Sequence, residues 1–414
     1  MHPTGQAAMS RTALARLIGS QICLHACMAG MRMSAPLLAL KLGYSALAVG
    51  LLMALFALTQ VFLALPAGRY AERHGVRRPI AYSVIAATTA TALAVLFPLF
   101  PVLCLAALAT GGAAGTTSIA LQRHVGRAAR DASELRQMFS WLAIGPATSN
   151  FIGPLAAGLL IDHAGVWLGG QAGDLSGYRT AFLMMALLPL LSWWWVRHTP
   201  DSAASAAGPR PGSRRAWDLL RDPMMRRLLL VNWFLSSCWD VHTFVLPVLG
   251  HERGYSASVI GMLLGGFAMA ATLVRLLMPW LVAHLREWLM ISAVMVCTSL
   301  LFALYPLLPN AWSMAACSVL LGLVLGSVQP MIMSTLHQIT PSDRHGEALA
   351  LRLMSLNGSS VLMPLLFGSL GAAVGVSMVF WLVGAAVGLG ARSAWRLKEG
   401  LTAAGHSPGG RTTG

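Results

Sequence analysis

Apolar residues in this chain come in long, nearly unbroken runs separated by short polar turns. A helix rises 1.5 Å per residue, so a run of about 20 residues is long enough to span a bilayer core. Twelve such runs lie near residues 17–40, 46–67, 80–100, 102–122, 139–161, 180–196, 228–250, 257–281, 288–306, 311–335, 348–370 and 374–391. Strands of an outer-membrane barrel would alternate apolar and polar at every second residue, and these runs do not. The first run follows Arg11 and Arg16 and is too long for a signal-peptide core, so it reads as an uncleaved first span. The pattern predicts an all-α polytopic membrane protein with twelve transmembrane helices.

Composition agrees. Hydrophobic residues make up 56% of the 414 and charged residues 10%, against about 25% charged in soluble domains. That excludes a soluble multidomain enzyme, and the apolar segments exclude disorder. The net charge of +15 changes the picture only once its placement is known. A nucleic-acid binder needs a basic stripe on a soluble face, whereas here the basic residues cluster between apolar runs. With the N-terminus inside, 24 of the 29 basic residues fall on the cytoplasmic side. The outer loops carry only Lys41, Arg179 and Arg253. The positive-inside rule therefore predicts an inner (plasma) membrane protein with both termini cytoplasmic and an even number of crossings. The six cysteines all lie in apolar runs and read as buried free thiols. Trp193, Trp194 and Trp195 read as an interfacial aromatic belt.

The one long polar interval, 197–227, holds Pro200, Pro209 and Pro211 among four prolines, with seven arginines, and within it Trp217 to Leu220 suggests a short interfacial helix. It divides the chain into six-span bundles at 1–196 and 228–391, followed by a cytoplasmic tail at 392–414. A repeat supports the division. Gly43-Tyr44-Ser45-Ala46 with Gly50 recurs as Gly254-Tyr255-Ser256-Ala257 with Gly261, at an offset of 211. The same offset pairs Pro36 with Pro247 and Gly115 with Gly326, while Pro154 and Gly158 match Pro364 and Gly368 at 210. Two parallel, pseudo-symmetric six-helix bundles are an arrangement of secondary transporters.

At the end of the second span stands Gly68-Arg69-Tyr70-Ala71-Glu72-Arg73-His74-Gly75-Val76-Arg77-Arg78. This stretch resembles the signature of the major facilitator superfamily: glycine, three residues, acid-Arg, one residue, glycine, one residue and two basic residues. With the twelve spans, the central loop and the repeat, the resemblance covers nearly the whole chain. Gly68 allows close helix approach and Gly75 a tight turn, while Glu72 suits the N-terminal end of a neighbouring helix. The resemblance implies that this neighbour is the eleventh span, from the other half, so that the contact latches the cytoplasmic side. Arg352 offers a second partner there. The alternative is an ordinary basic turn with a glycine in it. Span 5 carries Gly145-Pro146, Gly153-Pro154 and Gly158, which partly resembles the span-5 signature of the proton-coupled antiporter branch. That branch's arginine in span 4 is absent here, where Gly111 to Gly115 contains none.

Ionisable residues inside spans are costly and usually functional or paired. Asp240 lies about midway along span 7, and Arg32 lies in the outer half of span 1 with His25 seven residues earlier on the same face. The family resemblance turns spans 1 and 7 to a central cavity, so Asp240 and Arg32 are expected to lie close. Asp240 then reads as a proton-coupling carboxylate or a cation site, with Arg32 holding its charge or a substrate anion. A static ion pair between two helices is the alternative. For His25 the plain alternative is a packing histidine, and the case for His242 is weaker still. Arg275 can snorkel to the cytoplasmic end of span 8 and is left out of the site. Gln21, Asn150, Gln329 and Asn357 are polar groups on spans whose facing the sequence leaves open.

No His-Glu-x-x-His, Gly-x-Ser-x-Gly or Walker A pattern is present, so a membrane enzyme is a remote alternative and ATP-driven pumping is excluded. No metal or other cofactor is expected, and the expected partners are protons, a small-molecule substrate and the bilayer, for a monomer. The expected function is secondary active transport of a small organic molecule by alternating access, as proton-coupled efflux. Proton-coupled uptake of an organic acid or metabolite is the alternative. A neutral acid is far cheaper to desolvate than a carboxylate, which is how protonation of Asp240 would bias the two states.

Overall fold

The computed structural model describes residues 11–128, 134, 137–138, 141–167, 169–199, 216–281, 287–340 and 344–395. Thirteen long helices account for nearly all of them: α1 (Arg11–Lys41), α2 (Ala46–His74), α3 (Arg77–Leu96), α4 (Phe100–Ala128), α5 (Ile144–Trp167), α6 (Leu175–Val196), α7 (Pro223–Glu252), α8 (Ala257–Leu281), α9 (Glu287–Leu304), α10 (Ala311–Gly326), α11 (Val328–Ile339), α12 (His345–Val374) and α13 (Val376–Trp395). Among the described residues, twelve segments are long and apolar enough to cross a membrane. The tenth, expected as one helix, is two: α10 and α11 meet at Ser327. There Gly326 packs so closely on Ala271 that a Cβ would lie 2.6 Å from its Cα. The second helix also runs on to His74, past the expected end at 67, because helix hydrogen bonds continue after the apolar run has stopped. A short 3-10 helix, Ala216–Arg221, covers the stretch from Trp217 to Leu220. Residues 200–215 of the expected linker and 396–414 of the expected tail lie outside the described residues.

Two six-helix bundles pack side by side, joined chiefly through α5 against α8 and α2 against α12. Their pseudo-symmetry extends to single hydrogen bonds. Gly43 and Gly254 both take positive φ, at 83° and 71°, as a Cβ-free residue allows. Tyr44 N–H donates to the Ala39 carbonyl at 3.0 Å, and Tyr255 N–H to the Gly250 carbonyl at 2.9 Å. The Ser45 and Ser256 hydroxyls accept from Ala48 and Val259 N–H at the two helix starts. Packing repeats too: Gly111 abuts the Phe56 carbonyl and Gly322 that of Phe267. Small residues thus let backbones approach where lipid provides no hydrophobic drive between helices.

Cysteines 23, 27, 238 and 317 are buried free thiols and Cys104 is half-buried, but Cys297 is exposed, against expectation. Of the tryptophan belt only Trp194 is exposed. Trp195 instead packs on Gly19 of α1, where the missing side chain leaves room for its ring.

Candidate functional site

The halves meet most tightly at the end far from the arginine-rich turns. Gly50 and Gly368 press on the backbones of Pro364 and Ala46, and Gly261 and Gly158 press on those of Pro154 and Ala257. A Cβ on Gly261 would lie 2.6 Å from the Pro154 carbonyl oxygen, and one on Gly368 would lie 2.8 Å from that of Ala46. Asp162 of α5 adds two hydrogen bonds across the junction. Its carboxylate accepts from Ala257 N–H at 3.1 Å and Ser258 N–H at 2.7 Å, which caps α8 of the other half. By the repeat, the matching residue in α12 is Ala372, so this cap has no mirror image. Sequence reasoning missed Asp162, because a charge at a span's edge looks ordinary.

At the arginine-rich end the superfamily-like turn is arranged differently from expectation. Glu72 pairs with Arg123 of α4, within its own half, and not with Arg352. A Cβ on Gly68, one turn before Glu72, would lie 3.0 Å from Arg123 Nη2, so the bare glycine makes room for that arginine. The Arg123 hydrogen bond holds the Glu72 carboxyl below its usual range. Gly75 ends α2 with φ 74°. Arg73 and Arg78 are exposed and Arg77 is half-buried. Arg352 is buried and donates to the Gln329 side-chain carbonyl, again within one half. The proposed latch between halves is thus not engaged in this structure, because each partner is satisfied locally.

Two cavities lie between these ends. One, of about 180 Å³, is lined by both halves: His25 and Arg32 from α1, Gln60 from α2, Asn150 and Pro154 from α5, and Trp239 with Thr243 from α7. The other, of about 550 Å³, is lined by Ser236, Trp239, Asp240, Arg275, Gln329 and Ser360 among others. Trp239 borders both, with its ring edge-on to Phe267 at 4.5 Å.

Asp240 is buried, at 6% exposure, and its oxygens accept from Ser359 at 3.3 Å and Ser360 at 3.4 Å on α12. Arg32 interacts with it electrostatically, but no ion pair within 4.0 Å joins them. The static lock is therefore not what this structure contains. His25 and Arg32 share one cavity, as their seven-residue spacing requires. His242 does not reach it: its Nε2 lies 3.1 Å from the Ser318 hydroxyl, which in turn lies 2.7 Å from that of Tyr305. Arg275, left out by sequence reasoning, lies in the Asp240 cavity with its guanidinium 5.4 Å from the Trp239 ring. Ser359 and Ser360 were also missed, and only their adjacency to Gly358 marked them.

Asn150 and Gln329 line cavities, whereas Gln21 is buried against the bare face of Gly145. Asn357 is half-buried outside both. The rest of the span-5 motif works as packing surface. A Cβ on Gly153 would lie 2.7 Å from the Ala26 carbonyl oxygen of α1, and Pro146 is half-buried in the first turn of α5. Among the described residues no cluster of three or more His, Cys, Asp or Glu could hold a metal.

Against known proteins, the family model described as Major Facilitator Superfamily matches residues 17–306 and 228–410. The class B tetracycline resistance protein of Escherichia coli is 24% identical over 330 residues, 77% of each chain. Among solved structures, a bacterial homologue of the human lysosomal transporter Spinster, inward-facing and occupied, superposes with a TM-score of 0.72 at 16% identity. That match covers 97% of this chain and 96% of the other. A POT family transporter in complex with 5-aminolevulinic acid gives 0.75 at 12% identity, over 94% and 96%.

Proposed function

The chain belongs to the major facilitator superfamily and is a membrane transporter, and we propose that it exports a small organic molecule in exchange for protons. The observation that carries this reading is Asp240, a buried carboxylate with two hydroxyl donors and, among the described residues, no ion-pair partner, on the wall of the larger cavity. Burying a charge without a counter-ion is expensive, so gaining or losing one proton there changes the energy of any state that seals the cavity. The two bundles, about 1–196 and 228–391, rock about the cavities and expose them to one side at a time. The arginine-rich end faces the cytoplasm in this reading, by the 24 to 3 distribution of basic residues. The structure then corresponds to the state closed on the outer side by Asp162 and the glycine contacts. Export, rather than uptake, draws support from the tetracycline resistance relative and from the partial antiporter signature in α5.

The test is transport into everted and right-side-out vesicles across a compound panel, with and without a proton gradient. Export by exchange predicts gradient-driven accumulation in everted vesicles that collapses when the gradient is dissipated. Accumulation in right-side-out vesicles driven by inward protons would replace export with uptake.

A further inference from the structure

We infer that the transported molecule carries an oxyanion, and that Arg275 with Trp239 is the site that recognises it. This rests on reading the two cavities as the substrate path. Hydrogen-bond donors outnumber acceptors around the larger cavity. Among the described residues the only carboxylate on its wall, Asp240, already receives two hydroxyl donors, from Ser359 and Ser360. Arg275 is in the opposite condition. A guanidinium has five N–H donors, and its one hydrogen bond is a long one from Nε to the Gly326 carbonyl, at 3.4 Å. No ion pair among the described residues reaches it, although it lies within a span, where an uncompensated charge is costly.

Gln329 adds to the excess of donors. Arg352 can only donate, so the amide oxygen of Gln329 must face it, and the NH2 group is left to donate into the cavity. The face of Trp239 supports the cation and fixes the plane of its fork. A planar, forked donor held in place, with its two terminal nitrogens free, matches a carboxylate or phosphate in the bidentate mode. Arg32, in the neighbouring cavity, adds a second positive charge partly offset by Asp240. The path as a whole is therefore positive, and an organic acid restores its balance.

The experiment measures ligand-induced stabilisation of the purified full-length protein by benzoate and naphthoate, each against its neutral isostere, benzamide and naphthamide. Binding to the folded state raises the unfolding temperature in proportion to ln(1 + [L]/Kd), so affinities follow without a proton gradient. Each acid should bind about tenfold or more tighter than its amide. Arg275→Gln should bring that ratio to about one by lowering acid affinity far more than amide affinity, and Arg275→Lys should restore part of it. Trp239→Ala should weaken acid and amide together, since it opens the wall between the cavities. A ratio near one in the native chain, or one that survives Arg275→Gln, overturns the inference. Loss of neither ligand in Trp239→Ala overturns the cavity reading beneath it, and the inference with it. Because no flux is involved, a failure of proton-coupled export would appear separately, in the vesicle assay.

Discussion

Two carboxylates stand near opposite ends of the bundle, and they hold different things. Asp162 joins the halves, spanning two backbone N–H groups at the start of α8. Glu72, which belongs to the recognisable signature, is held by Arg123 inside its own half. The contact announced by a motif is local here, and the contact announced by nothing is the one that crosses. That arrangement fits the alternating access proposed above. Latches between halves must be made at one end at a time, so a latch seen idle in one state keeps its charge satisfied at home. Glu72 is expected to exchange Arg123 for a partner in the other half when the arginine-rich end closes.

The largest effect that would break this comparison comes from Gly158. A Cβ there meets the backbone of Ala257, whose carbonyl carbon would lie 2.8 Å away, and a backbone cannot move aside as a flexible side chain does. Gly158→Val should force α5 and α8 apart, abolish transport and lengthen spin-label distances between those helices at the far end. Unchanged distances with normal transport would show that the tight packing there is not needed for closure. Next comes Asp162→Asn. Hydrogen bonds to a charged group contribute about 1.5–3 kcal/mol each, so the variant should lower the closed-to-open ratio at that end by about tenfold or more. The same labels read that shift, and equal distributions in variant and native chain would remove Asp162 as a latch.

Glu72→Gln should have the smallest effect. Glu72 and Arg123 are about equally open to solvent, at 40% and 39% exposure, and an exposed pair contributes at most about 1 kcal/mol. The distance distribution in the state described here should not move, because both partners lie in one half. Its pH dependence follows from the lowered pKa. The contact is complete above the usual carboxylate range and is lost only as pH falls through the depressed value. Titration from about pH 8 to about pH 6 should therefore leave this end unaltered through Glu72, and labels on α2 and α4 that separate over that window would contradict the assignment.

How much of this was legible in the sequence differs by residue. The twelve spans were readable because bilayer thickness imposes a length that no other constraint hides. The repeat was readable because the turn at Gly43 and Gly254 needs a positive φ that glycine supplies at both places. The break at Ser327 was not, since it arises where Gly326 packs on Ala271 from another helix. Asp240 stood out as a carboxylate in an apolar run. Arg275 did not, because a long side chain six residues from a span's end reaches either the interface or the interior, and Trp239 and the cavity decide between them. Asp162 lies at a span's edge, where its meaning depends on which helix start faces it. The Arg123 partner of Glu72 lies on another helix, brought there by the packing of α4 on α2, which no pattern along the chain encodes.

The most direct test of the account is proton-gradient-driven flux in reconstituted vesicles for the native chain and for Asp240→Asn, which keeps the size of the side chain and one acceptor oxygen for the serine pair, turns the other position into an N–H donor, and cannot carry the charge. The account predicts that gradient-driven flux is lost in the variant while downhill exchange of substrate persists. Undiminished gradient-driven flux in a correctly inserted Asp240→Asn protein would contradict it.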